Sequence, residues 1–396
     1  MKKQLRLFAA LFILNWVSAQ ETLMRGNQIV SPEVHSDNSV TFRFLAPQAD
    51  SVQVTGDFLP TVKVQTPRGE ADAPGIASLS KDDQGLWSFT VSPLDSELYT
   101  YSFIVDGLRA IDSNNPFLIR DVGSITNILL VGNGRADVYA VNDVPHGSVA
   151  RRWYDSPGLG MDRRLTIYTP PGYEASTESY PVLYLLHGAG GDEEAWIALG
   201  RTAQILDNLI AQGQAKPMIV VMPNGNVIQD AAPGEGSGGY YKPQFMIPQT
   251  MNGVYENNFM DIVKFTEANY RVIPDKAHRA IAGLSMGGFH TMHISRYYPN
   301  MFDYIGQFSA ALMTREDATG TLYSDIDGSL KQQIANGYKL YWIGMGKTDF
   351  LYNTSVEFRK KMDDFGGPYF YRESEGGHIW RNWRIYLTEF VPLLFE

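Results

Sequence analysis

The segment Gly283-Leu284-Ser285-Met286-Gly287-Gly288 holds the residue types and spacing best suited to covalent chemistry in this sequence. It follows an apolar run, Arg279-Ala280-Ile281-Ala282, and precedes a helical stretch from Phe289 to Tyr297. A serine flanked at two residues' distance by glycines, between a strand and a helix, forms a nucleophile elbow. The turn is so tight that side chains two positions away would collide with neighbouring backbone. Small residues there let Ser285 raise its hydroxyl at the helix N-terminus.

A serine hydroxyl attacks only when a base takes its proton. In this arrangement the partners follow the nucleophile in the order acid, then histidine. His35, His146, His187 and His278 precede the serine, and His290 and His293 lie on the helix leaving it, as packing or surface residues. His378 remains, in the glycine-hinged loop Glu375-Gly376-Gly377-His378-Ile379-Trp380. The acid belongs at the end of a strand between the two. The run Leu340-Tyr341-Trp342-Ile343-Gly344-Met345-Gly346 ends on Lys347-Thr348-Asp349, so Asp349 is expected to orient His378. Asp363 and Asp364 fall in a helical stretch from Val356 to Phe365, and Glu375 is too near His378 to reach beneath its ring. An oxyanion also needs donors. The backbone N–H of Met286 supplies one, and Ala189 in the loop His187-Gly188-Ala189-Gly190-Gly191-Asp192 supplies the other. His187 is expected to prop that loop, and the glycines lack the Gly-Lys-Ser/Thr of a phosphate loop.

These groups need a parallel sheet to gather them. From about Arg151 short apolar runs such as Pro181 to Leu186 and Pro217 to Met222 alternate with helical stretches, Asn258 to Tyr270 among them. Each run reads as a strand covered on both faces. Earlier, from Asn27 to about Asn133, alternating strands at Val40, Val52, Trp87 and Tyr99 are punctuated by turn residues, which reads as a β-sandwich. The expected organisation is a leader at 1–20, a β-sandwich over 21–140, a linker over 141–150 and an α/β-hydrolase domain over 151–396.

Composition excludes several classes. Lys2, Lys3 and Arg6 precede an apolar stretch from Leu7 to Val17 and a small-residue site at Val17-Ser18-Ala19, the layout of a secretory signal. That stretch is too short for a stable anchor, so a secreted or periplasmic protein with no membrane partner after cleavage is expected. The absence of cysteine removes thiol nucleophiles, cysteine metal sites and a lipid-attachment residue. A net charge of −10, from which the leader would remove only basic residues, opposes binding to nucleic acid. The proposed chemistry requires neither metal nor cofactor.

The motifs His187 to Trp196, Val221-Met222-Pro223-Asn224-Gly225, Gly283 to Gly288, Phe308-Ser309-Ala310-Ala311, Gly346 to Asp349 and Gly377 to Trp380 together resemble carbohydrate esterase family 1. The resemblance runs from Trp153 to the C-terminus. It implies hydrolysis of esters on plant cell-wall xylan, with feruloyl groups on arabinoxylan leading and acetyl groups as the alternative. Phe42 to Pro47, Val52 to Asp57 and Tyr101 to Gly107 resemble immunoglobulin-like modules related to carbohydrate-binding family 48. Trp87, Tyr99, Tyr101 and Phe103 are candidates there for stacking on sugar, though alternation sends about half to the core. Between a strand and its helix, Asn226 to Glu256 is far longer than an ordinary connection. It reads as a flexible lid carrying Tyr240, Tyr241 and Phe245 to the substrate, with Trp196 and Trp380 either lining the pocket or packing beneath it. Lower alternatives are an enterochelin-type siderophore esterase, which an export signal opposes, and a glycan-binding protein with an inactive hydrolase domain.

Overall fold

The computed structural model describes residues 29–66, 69–240, 243–312 and 321–396. The expected leader and Tyr241 lie outside the described residues. Residues 33 to 131 form two antiparallel sheets and a separate hairpin. One sheet runs Glu33–Val34, Val40–Leu45, Leu86–Val91, Ser80–Lys81. The other runs Leu118–Asp121, Ser124–Val131, Glu97–Val105, Val52–Gly56, Ile76–Ser78, with Leu108–Ala110 beside Glu97–Val105. Val40, Phe42, Val54, Tyr101, Phe103 and Val131 fill the space between them.

All four aromatic candidates for sugar stacking are buried in this module: Trp87, Tyr99, Tyr101 and Phe103 belong to its core. Alternation alone sends half of such residues outward. Here Tyr99, Tyr101 and Phe103 share one parity on Glu97–Val105, and Trp87 faces them from the opposite sheet. At the outward parity of that strand Leu98 is covered as well, because it joins the hydrophobic core of the second domain. None of the four offers a ring to a glycan.

The second domain is an eight-stranded sheet. Its order is Ser148–Ser156, Met161–Thr169, Ile219–Pro223, Val182–Leu186, Arg279–Leu284, Tyr304–Phe308, Leu340–Gly346, Phe370–Ser374. The first two strands are antiparallel, and the last six run parallel. The continuous apolar runs are explained by burial on both faces: all of Val182–Leu186, Ile219–Pro223 and Tyr304–Phe308 is buried. One face carries Phe259, Ile262 and Met292, and the other carries Leu206, Trp383 and Leu387. The fold is that of an α/β-hydrolase. Its first strand begins at Ser148, inside the expected linker, and Gly147 N–H donates to Asp207 Oδ1 at 2.9 Å.

The two domains share a charged seam. Glu97, wholly buried, accepts from Arg384 at 3.1 Å and pairs with Arg135 at 3.1 Å. Arg384 also donates to Leu98 O and to Leu199 O. Among the described residues no helix is long and apolar enough to cross a membrane.

Candidate active site

Cross-strand register aligns Leu284 with Phe308, Phe308 with Gly344 and Gly344 with Arg372. Ser285, Asp349 and His378 each lie just beyond that row, so one carboxyl edge of the sheet carries all three. In open α/β sheets this edge is where ligands bind.

Ser285 has φ 53° and ψ −114°, a strained conformation for a residue with a side chain. Its backbone is held on both sides. The Ser285 N–H donates to Phe308 O at 2.9 Å, and its carbonyl accepts from Phe289 and Ala311. The glycine spacing has a steric cause. A Cβ on Gly283 would stand 2.3 Å from Gly287 O, and one on Gly287 would stand 2.3 Å from Leu186 O. Both obstacles are backbone, so no side-chain rearrangement would relieve them.

His378 Nδ1 lies 2.9 Å and 3.1 Å from the two carboxylate oxygens of Asp349. A carboxylate only accepts, so Nδ1 carries the proton and the Nε2 lone pair is left to act as a base. Asp349 is wholly buried, and its Oδ1 also accepts from Leu351 N–H at 2.9 Å. The histidine loop is tied to the acid's strand: Thr348 N–H donates to Gly376 O, and Asn382 Nδ2 donates to Gly377 O. The rings of Phe350 and Trp383 flank His378 at 4.6 and 4.9 Å. Phe350 is a neighbour that its position after the acid could have suggested. The final helix, Trp380–Phe390, starts directly behind the loop.

The rival acids are elsewhere. Glu375 points to solvent and pairs with Lys347, while Asp363 and Asp364 end the helix Tyr352–Asp364. His290 does pair with a carboxylate, Glu256, at 2.7 Å, but both are fully buried, His290 on the inner side of the helix Met286–Tyr297. His293 is buried beside it.

Met286 opens the helix Met286–Tyr297, so its N–H has no carbonyl one turn earlier to bond. Ala189 is half-buried, and among the described residues nothing accepts from its N–H. Its loop is fixed from beneath by His187. Gly225 N–H donates to His187 Nε2 at 2.8 Å, so the Nδ1 proton must face Gly188 O, also at 2.8 Å. Burial pushes the imidazole down to about 4. The consequence for stability has a definite sign. The folded protein refuses a proton that the unfolded chain accepts below about pH 6.5. The contribution is complete above that pH and is lost as pH falls towards 4. His187→Gln is expected to flatten the decline of the denaturation midpoint across this window; parallel curves for the two proteins would refute the assignment.

The substrate-lining candidates separate. Trp196 is 1 % exposed, and its indole N–H donates to Leu186 O at 2.9 Å. It supports the strand from within the core and presents no surface to a ligand. Trp380, half-buried, packs edge-on against both Trp196 and Trp383. Tyr240 is almost wholly exposed and lies against Gly234 within its own turn. Phe245 is half-exposed, with its Cα beside Gly190 of the oxyanion loop. Phe245 thus meets that loop through its backbone.

The insertion is also more firmly held than a flexible lid would be in its first half. Arg163, buried, donates to the carbonyls of Asn224, Asn226 and Gln229. Arg164 pairs with Glu193, Glu194 and Glu235. These two arginines were not singled out in the sequence, because nothing in their spacing shows that they face a distant loop. Among the described residues no cluster of three or more His, Cys, Asp or Glu could hold a metal ion.

A family described as a putative esterase matches residues 156–394. An endo-1,4-beta-xylanase/feruloyl esterase of Xylanibacter ruminicola is 32% identical over 296 residues, covering 72% of this chain and 37% of its own length. This chain therefore spans little more than a third of that relative. A solved ferulic acid esterase is 26% identical, with a TM-score of 0.51, over 62% of this chain and 97% of its own. The enterobactin esterase of Shigella flexneri is 15% identical, with a TM-score of 0.58, over 89% of this chain and 92% of its own. That last likeness extends the shared fold into the N-terminal module.

Proposed function

The chain belongs to this esterase family, and from that premise we propose that it is a serine feruloyl esterase acting on plant cell-wall arabinoxylan. The observation that carries the chemistry is the His378–Asp349 pair on the same sheet edge as the strained Ser285. Ser285 Oγ attacks the ester carbonyl carbon while His378 Nε2 takes the hydroxyl proton. The oxygen that becomes negative is met by the N–H groups of Met286 and Ala189, the former reinforced by the helix dipole. Collapse of the tetrahedral intermediate expels the sugar alcohol, which leaves with the proton from His378. Water then attacks the acyl-serine and passes its proton to the same nitrogen; collapse releases the acid and expels Ser285 Oγ, which takes that proton back from His378. Asp349 keeps the imidazole in the useful tautomer and stabilises its charged form throughout.

The substrate class is supported by the name of the Xylanibacter relative and by the solved ferulic acid esterase. Phe245 beside the oxyanion loop is a natural contact for a planar hydroxycinnamoyl ring. Secretion goes with this reading, since a cell-wall polymer is met outside the cell, and the sequence layout of residues 1–20 is that of an export signal.

A panel of esters tests the proposal. Methyl ferulate and feruloylated arabinoxylan are expected to release ferulate, measured by absorbance or chromatography. Cleavage of acetylated xylan alone would move the assignment to acetyl esters. Cleavage of enterobactin alone would move it to siderophores.

A further inference from the structure

One hairpin of the N-terminal module ends against the oxyanion loop of the second domain. Its strands pair Arg120 with Ile125 and Asp121 with Ser124, so Val122 and Gly123 alone make the turn. Val122 has φ 52°, a left-handed conformation that two-residue hairpins normally give to Asn or Gly. A β-branched residue is costly there. Its contacts show what the valine reaches. A Cβ on Gly190 would stand 2.6 Å from Val122 Cγ2, so the valine methyls fill the bare face of that glycine.

The neighbouring arginine makes a second attachment. Arg120 Nη1 donates to Val122 O at 3.0 Å, and its Nη2 donates to Asp192 Oδ2 at 2.5 Å. Asp192 is 3% exposed, and its other oxygen accepts from Glu194 N–H at 3.1 Å. One guanidinium thus ties the hairpin's own turn to the far end of the loop. At the near end, a Cβ on Gly188 would stand 3.2 Å from Ser285 Cβ. The loop is therefore enclosed between the nucleophile and the module, with Ala189 in the middle. With three glycines it has few side chains to fix its own backbone, so order has to come from what surrounds it.

We propose that Arg120 and Val122 are positioning residues of the active site, holding loop 188–192 so that the Ala189 N–H faces the oxyanion formed at Ser285. The module then serves catalysis directly, whether or not it binds glycan. This rests on the serine esterase reading, and the test separates the two.

Arg120→Ala, Arg120→Lys and Val122→Gly are made in the full chain and assayed with methyl ferulate and p-nitrophenyl acetate. Val122→Gly relieves the left-handed backbone, so its melting temperature stays level or rises. Its kcat is nevertheless expected to fall about ten-fold, and that of Arg120→Ala about ten- to a hundred-fold, with KM little changed. Arg120→Lys should recover part of the loss. The affinity of a phenylboronic acid, whose adduct with serine places an oxygen among the same donors, should weaken in parallel. Unchanged kcat and boronate affinity in both Arg120→Ala and Val122→Gly would overturn the proposal, as would a rise in KM alone. A wild-type protein inactive on every ester would instead overturn the esterase reading, and this inference with it.

Discussion

Ser285→Ala is expected to leave a folded protein whose ester hydrolysis has dropped by about a million-fold, the scale seen when a serine hydrolase loses its nucleophile. Loss of folding is not the reason. The Ser285 side chain makes no capping bond to the helix it precedes, so removing its hydroxyl breaks no contact of that helix. Ser309, at the end of the neighbouring strand, is fully buried, and its Oγ has no hydrogen-bond partner among the described residues. The measurement is ferulate release by wild type and variant at equal concentration, with thermal melts as control. Activity within ten-fold of wild type would remove Ser285 from the mechanism.

Asp349→Asn is expected to cost about 10⁴ in kcat, by the argument that applies to triads in general. The two side chains have nearly the same shape, so packing is preserved. The difference is one of donors. An amide turned so that its oxygen still accepts from Leu351 N–H directs its NH₂ at His378 Nδ1. The imidazole then moves its proton to Nε2, where it can no longer take one from Ser285. The buried position of Asp349 denies water access to correct the mismatch. A loss of less than ten-fold would show that another carboxylate orients His378.

The site was legible wherever one residue type is forced by backbone geometry. Gly283 and Gly287 could be read because backbone oxygens at 2.3 Å forbid a side chain there, and such constraints are written locally. Asp349 and His378 could be expected to pair because an apolar strand must end and a base must follow a nucleophile, and the two do lie 2.9 Å apart. Burial of particular aromatics could not be read. Trp196 is apolar, near the loop and large, which describes a pocket wall and a core support equally well; only its bond to Leu186 O decides. The aromatics of the N-terminal module show the same limit, since alternation gives two faces without saying what covers each. Arg120 and Val122 were invisible for a related reason: their partners are about seventy residues away in the chain, across a domain boundary. The fold class and the division into a β-sandwich and a hydrolase domain followed from periodicity, whereas the connection over 141–150 did not, because Ser148 to Ala150 already belong to a strand.

The Glu97–Arg384 pair bears on how such a protein can be recombined. Glu97 is buried against the second domain, and Arg384 reaches across to it from the last helix. Cutting the chain after residue 140 to keep only the hydrolase would take both the Glu97 carboxylate and the Leu98 carbonyl from Arg384. It would also uncover the hydrophobic surface on which Leu98, Ala136 and Tyr139 rest. The N-terminal module is therefore a poor candidate for grafting as an interchangeable cassette. Any chimera that swaps it must carry a carboxylate at the position of Glu97, or replace Arg384 at the same time.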